Sequence, residues 1–127
     1  MLKAYNCIMK DFRQLKVRER SHQLALAVYK ATKEFPKEEL YGLTSQIRRS
    51  SMSILTNIAE GCGRNTDKGF ARVLQIAMGS ASETEYQLIL ACDLGFLAND
   101  SCEQLHNEVE EVKRMLASLL KTIRIDQ

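Results

Sequence analysis

Two Glu-x-x-His pairs, Glu19-Arg-Ser-His22 and Glu103-Gln-Leu-His106, are the residues of this 127-residue sequence whose types and spacing fit metal chemistry. Residues three apart on a helix share a face, and two such pairs inside one helical bundle make the carboxylate–histidine set of a di-metal site. Height argues against a shared site. Counted from the bundle end where the first helix finishes and the fourth begins, His22 lies about thirteen residues down and His106 about five. At ~1.5 Å rise per residue they are roughly a dozen ångströms apart. Neither pair falls on its helix's apolar stripe, whereas the ligands of a metal pair must lie at one level. The expectation is therefore two surface histidines, with no metal and no cofactor.

Other signatures of catalysis are missing. There is no Gly-rich phosphate loop and no G-x-S-x-G elbow. Gly61-Cys-Gly-Arg64 closes a helix, and a helix C-terminus carries the wrong dipole sign for a phosphate. Cys7, Cys62, Cys92 and Cys102 show no C-x-x-C spacing and read as reduced thiols of a cytoplasmic protein. No catalytic residue is expected, and the chain does not read as an enzyme.

The elements that must position any site are helices. The first is expected from about Phe12 to Phe35, with Val17, Leu24, Val28, Ala31 and Phe35 inward, stopped by Pro36. The second is expected from Glu38 or Glu39 to the glycines at 61 and 63, read as a C-terminal cap. Asn65 or Thr66 caps a third helix that ends at Gly95 and turns Phe70, Val73, Leu74, Ala77, Ala81, Leu88 and Ala91 inward. The fourth begins near residues 99–101 and carries Leu105, Val109, Val112, Leu116, Leu119 and Ile123, the four-three alternation of coiled-coil-like packing. Long amphipathic helices joined by short connections make an all-α, up-down-up-down antiparallel four-helix bundle over residues 10–127. Residues 1–9 add nothing periodic and read as a lead-in, either an upstream start or a short extension of the first helix. They hold no apolar core of signal-peptide length, and no apolar run reaches membrane-span length.

Residues 41–61 carry two seams. Leu43, Ile47, Ser50, Ile54 and Ile58 form the apolar stripe; Gly42, Gln46, Arg49, Ser53, Thr56 and Glu60 repeat the spacing one position earlier. Ser, Thr and Gly are mediocre helix formers, so a seam built of them implies close packing rather than a solvated face. A reversal centred near Asn65 puts Arg48 and Arg49 level with Ser82 and Ala81 and within a turn of Glu83, where a charge-assisted pair is expected, within the subunit or across an interface. Gly79, Ser80, Ala81 and Ser82 keep the third helix small at that height. Asn57 and Glu60 stand one turn apart, suited to bond a neighbouring helix. Gln46, Ser53, Asn57, Glu60, Gly79 and Glu83 are the candidates for organising the bundle or an oligomer interface.

The formal net charge of +2 hides an asymmetry: residues 1–64 hold 12 Lys+Arg against 6 Asp+Glu, and residues 65–127 hold 6 against 10. Arg13, Lys16 and Arg20 share one face of the first helix. With Arg48 and Arg49 they are the candidate nucleic-acid-binding residues, although a pI near 8.4 falls short of a strongly basic footprint.

Several motifs occur in order: Phe12-Arg-x-Leu-Lys-Val17, Phe35-Pro-x-x-Glu38, Tyr41-Gly-Leu-x-Ser-Gln-Ile-Arg-Arg49, Ser53-Ile-x-x-Asn-Ile-Ala-Glu-Gly61, Gly79-Ser-x-x-Glu83 and Leu94-Gly-Phe96. The set resembles the bacterial four-helix bundle protein family, also called the 23S rRNA intervening-sequence protein family. The chain departs from it at Arg18, where the family usually has Trp. The resemblance implies a homopentameric ring around a central channel, and a small non-catalytic protein often encoded within intervening sequences of large-subunit rRNA genes. Related bundle proteins, the accessory variability determinants of diversity-generating retroelements, bind a reverse transcriptase and nucleic acid. The expected function is a cytoplasmic, homo-oligomeric scaffold presenting basic surface to RNA, DNA or a nucleic-acid enzyme such as a reverse transcriptase. The alternative is a protein–protein interaction module without nucleic-acid affinity. A membrane is not among the expected partners.

Overall fold

The computed structural model describes residues 12–61 and 63–126, with side chains between Gln14 and Ile123. The lead-in at residues 1–9 and the side chain of Arg13 lie outside the described residues. The described chain forms α1 (Phe12–Thr32), a 3-10 turn (Lys37–Glu39), α2 (Leu43–Gly61), α3 (Asp67–Asp93) and α4 (Asn99–Asp126), with no strand among the described residues. Each helix packs on the next and α4 returns to α1, which closes the antiparallel bundle. Every inward residue expected on α3 and α4 is buried, as are Val17, Leu24, Val28 and Phe35; Ala31 packs half-buried against the core. No helix is long and apolar enough to cross a membrane among the described residues.

Two helix ends differ from expectation, both around Pro36. α1 stops at Thr32, not Phe35. The Thr32 hydroxyl donates back to Val28 O at 2.8 Å and Tyr29 O at 3.1 Å, and the amides of Lys33, Glu34 and Phe35 each bond three residues back. The helix thus tightens into a 3-10 exit before the proline. Phe35 still reaches the core and sets its ring 5.5 Å from that of Phe96. α2 starts at Leu43, not Glu38 or Glu39, because Pro36 launches a 3-10 turn and the Glu39 carboxylate accepts the Leu43 amide at 3.2 Å. That acidic residue caps the helix from outside it.

The reversals on either side of α3 are built differently. Thr66 caps its start, its hydroxyl oxygen accepting the Gly69 amide at 3.0 Å. At its end Gly95 adopts φ 78°, its amide bonds Cys92 O and the Phe96 amide bonds Ala91 O, both at 3.0 Å. This is the 6→1 and 5→2 pattern that favours glycine. The glycines closing α2 work otherwise, since Gly95 has the only positive φ among the described residues. A Cβ on Gly61 would stand 2.6 Å from two ring carbons of Phe70 and 3.2 Å from Val73 Cγ2. Gly61 is there for close approach, not for a left-handed cap.

Candidate functional site

The polar seam of α2 meets α3 through hydroxyl contacts. Ser50 Oγ lies 2.7 Å from Thr84 Oγ1 and donates to Gln87 Oε1 at 2.7 Å. Thr84 also bonds Ser80 O at 2.9 Å, and Ser80 Oγ lies 2.8 Å from Ser53 Oγ. Asn57 Nδ2 completes the line, donating to Ser53 O at 2.8 Å and Ser53 Oγ at 3.1 Å. Ser50 and Thr84 are buried, so these bonds satisfy groups that water does not reach. Small side chains at 50, 53, 80 and 84 bring the backbones close enough for hydroxyls to touch.

This register lies about one helical turn from the sequence expectation. A pivot at Asn65 places Ser50 opposite Ser80; the observed Ser50–Thr84 contact centres the reversal near Asp67, the first residue of α3, and each residue of pivot moves the register by two. The pairing of Arg48 or Arg49 with Glu83 within the chain is corrected accordingly. Glu83 accepts from Gln87 Nε2 at 3.3 Å, which orients the Gln87 amide to receive Ser50. Arg49 bonds Gln46 Oε1 at 2.8 Å on the surface. Arg48 turns the other way, donating to Thr32 Oγ1 at 2.8 Å and lying 5.0 Å over the Tyr29 ring, where it clamps α1 to α2. Thr56 bonds Ser53 O and Glu60 pairs with Arg64, both on the exposed side.

Outside this network α2 and α3 share an outer face. Arg72, Ile76, Gly79, Glu83, Tyr86, Leu90 and Leu94 recur at helical spacing and are all exposed. Tyr86 is 67% and Leu94 53% accessible, and Met52 on α2 is also open. Nothing lies within 4 Å of a Cβ built on Gly79, so its smallness serves no contact inside the chain.

The basic candidates do not form one patch. Lys16 is exposed on α1. Arg20 lines a 560 Å³ groove between α1 and α4 with Asp100, Glu103, Glu108 and Glu111. Arg48 sits on the opposite edge of α1, against α2, and Arg49 faces away from α1 beside Gln46. Burial holds the Glu108 carboxyl above its ordinary value, against the opposing pull of Arg20, and Glu108 Oε2 has no hydrogen-bond partner. The hydrogen bond from Arg114 holds Glu111 below its ordinary value.

A carboxyl raised in the folded state adds stability at low pH and loses it as pH rises through the folded value. Glu108→Gln is therefore expected to stabilise the chain near pH 7. The gain stays under about 1 kcal/mol, because solvent reaches part of the carboxyl and screens it. The difference from wild type should close as pH falls below the ordinary carboxylate range. Urea titrations at neutral and acidic pH check this, and a variant weaker than wild type at pH 7 contradicts it.

The cysteine reading is corrected at α3–α4. Cys92 and Cys102 form a disulfide with Cα atoms 6.0 Å apart, joining the last turn of α3 to the first of α4. Their ten-residue spacing looks unremarkable in sequence, but the Gly95 reversal folds it back on itself. Cys7 and Cys62 lie outside the described residues. His22 is exposed on α1, and His106 stands on α4 beside Glu110 rather than with His22.

Comparison with known proteins agrees with the architecture. The 23S rRNA-intervening sequence protein family matches residues 13–118. A crystal structure of a protein of unknown function from the S23 ribosomal protein family of Bacteroides thetaiotaomicron superposes with a TM-score of 0.80 at 28% identity. The match covers 87% of this chain and 99% of that one. No curated protein matches. With nearly the whole helical bundle inside the matched span, the chain belongs to the 23S rRNA-intervening sequence protein family.

Proposed function

We propose that this protein is a non-catalytic scaffold that assembles with copies of itself, as a pentamer, through the outer face of α2 and α3. The observation that carries the reading is the stripe of Ile76, Gly79, Tyr86, Leu90 and Leu94, which the single chain leaves open while its inward residues are satisfied. Exposed apolar side chains set among polar ones, here with Glu83 in the middle of the stripe, are characteristic of protein interfaces, and aromatic residues are enriched there. Gln46, Arg49, Thr56 and Glu60 supply the rim on α2; Ser53 and Asn57 are used within the chain. The family's link to rRNA intervening sequences supports a cytoplasmic setting.

Assembly repeats the face of α1 that carries Arg13, Lys16 and Arg20, and in this reading it offers that face to RNA, DNA or a nucleic-acid enzyme such as a reverse transcriptase. A second reading, a protein-only module, is favoured by the internal bonding of Arg48 and the carboxylates around Arg20. Nucleic-acid binding would fall steeply with salt, log K changing by roughly −0.7 to −0.9 per phosphate contact on log salt. Binding to a protein partner that resists salt, without affinity for RNA or DNA at low salt, selects the second reading.

Light scattering on a sizing column tests assembly itself. Wild type is expected to elute as an oligomer, and Tyr86→Glu and Gly79→Leu to elute as folded monomers, because both positions are exposed in the single chain. A monomeric wild type removes the proposal.

A further inference from the structure

The seam between α3 and α4 gathers three metal-ligating side chains, of which only His106 belongs to a Glu-x-x-His pair. His106 and Glu110 stand four apart on α4, with Nε2 and Oε2 separated by 3.4 Å. Glu85 reaches them from α3, and one ligand atom from each of the three lies within 4.8 Å of the others. From this we infer that Glu85, His106 and Glu110 form a binding site for a late first-row divalent cation, with zinc as the type.

Three arguments carry the assignment. Tetrahedral coordination at about 2.1 Å separates ligand atoms by about 3.4 Å, so the His106–Glu110 pair already stands at ligand spacing. The Glu85 atom lies within 4.8 Å of the other two, so closing the triangle to that spacing takes a shift of at most about 1.4 Å. A donor set of one imidazole and two carboxylates suits zinc and its neighbours, and neither magnesium nor calcium selects an imidazole. The surroundings fit as well. Lys113 donates to Glu85 Oε1 at 2.9 Å, which leaves the other oxygen of that carboxylate for the ion and fixes its orientation as an outer-shell partner. A 330 Å³ cleft lined by Glu85, Glu110, Lys113 and Arg114 opens on the two carboxylates of the cluster, leaving room there for water as a fourth ligand. Arg114 is paired with Glu111, so Glu85 and Glu110 against Lys113 leave the site net negative before an ion binds.

The ion would clip α3 to α4 below the Cys92–Cys102 link, which ties the same helices at their ends. It touches none of the residues of the proposed assembly face. The site therefore stands or falls independently of self-association.

Zinc titration of the full chain against a chromophoric chelator tests it, with accessible thiols blocked by N-ethylmaleimide so that cysteine does not compete. One equivalent per chain is expected, with affinity reduced at least roughly tenfold in both His106→Ala and Glu110→Gln and unchanged in His22→Ala. Saturating zinc should raise the unfolding midpoint of wild type by roughly 5–10 °C, with that rise gone in both site variants. Absence of zinc uptake by wild type, or wild-type affinity in either site variant, overturns the proposal and leaves a His106–Glu110 contact beside the Lys113–Glu85 ion pair.

Discussion

Replacing Gly61 by Ala is expected to destabilise the bundle by about 1–3 kcal/mol, a fall of roughly 4–10 °C in midpoint for a domain of this size. Helix propensity alone predicts the opposite sign, since Ala is favoured over Gly by up to about 1 kcal/mol in a helix interior. Packing decides the outcome. The added methyl would sit 2.6 Å from Cδ1 and Cε1 of Phe70, a ring that is 1% exposed, and 3.2 Å from Val73, so neither neighbour has solvent to move into. The ring must shift or the α2–α3 reversal must open, and either loosens the first turns of α3. Phe70→Leu removes the clashing ring atoms, so the double variant should be less destabilised than the two single losses added together. Gly79 is the internal comparison. A methyl there meets nothing within 4 Å, so in the dissociated chain Gly79→Ala should gain about 0.5–1 kcal/mol. Chemical denaturation of the set checks all of this, and a Gly61→Ala variant as stable as wild type refutes the packing argument.

Gly61 also shows where sequence reasoning stops. The spacing of Leu105, Val109, Val112, Leu116, Leu119 and Ile123 determines an inward face unaided, and all six are buried. The same holds for α3, and short connections then dictate antiparallel neighbours. What periodicity does not contain is height and partner. The reversal centred near Asp67 rather than Asn65 moves the α2–α3 register by about a turn, which is enough to exchange Ser80 for Thr84 as the residue facing Ser50. Arg48 was legible as a cation, but the Tyr29 ring and Thr32 hydroxyl that hold it stand on another helix. Cys92 and Cys102 carry no motif because a reversal, not a local spacing, brings them together. His106 is the sharpest case: testing it against Glu103 on its own helix missed Glu110 four residues on and Glu85 across the seam. A pair found by local spacing is one projection of a site assembled in three dimensions.

The buried hydroxyls at the α2–α3 seam give the other large expected effect. Ser50→Ala should cost about 1–3 kcal/mol, because it strips a partner from two groups at once: Thr84 Oγ1 and Gln87 Oε1. Thr84→Val is nearly isosteric but removes the hydroxyl that contacts Ser50 and bonds Ser80 O, and should cost a comparable amount. The double variant is the informative one. With both hydroxyls gone, neither leaves the other unpaired at this buried contact, and two apolar groups of similar shape meet instead. Its loss should therefore fall short of the sum of the single losses by about 1 kcal/mol or more. Gln87 marks the limit of that recovery, since its Oε1 keeps no partner from Ser50 and must turn toward solvent, which it can do because it is only half-buried. Urea denaturation of wild type, both single variants and the double variant measures the coupling. Strict additivity would mean that Ser50 and Thr84 each find other partners, and that the small residues of this seam serve only to let two backbones approach.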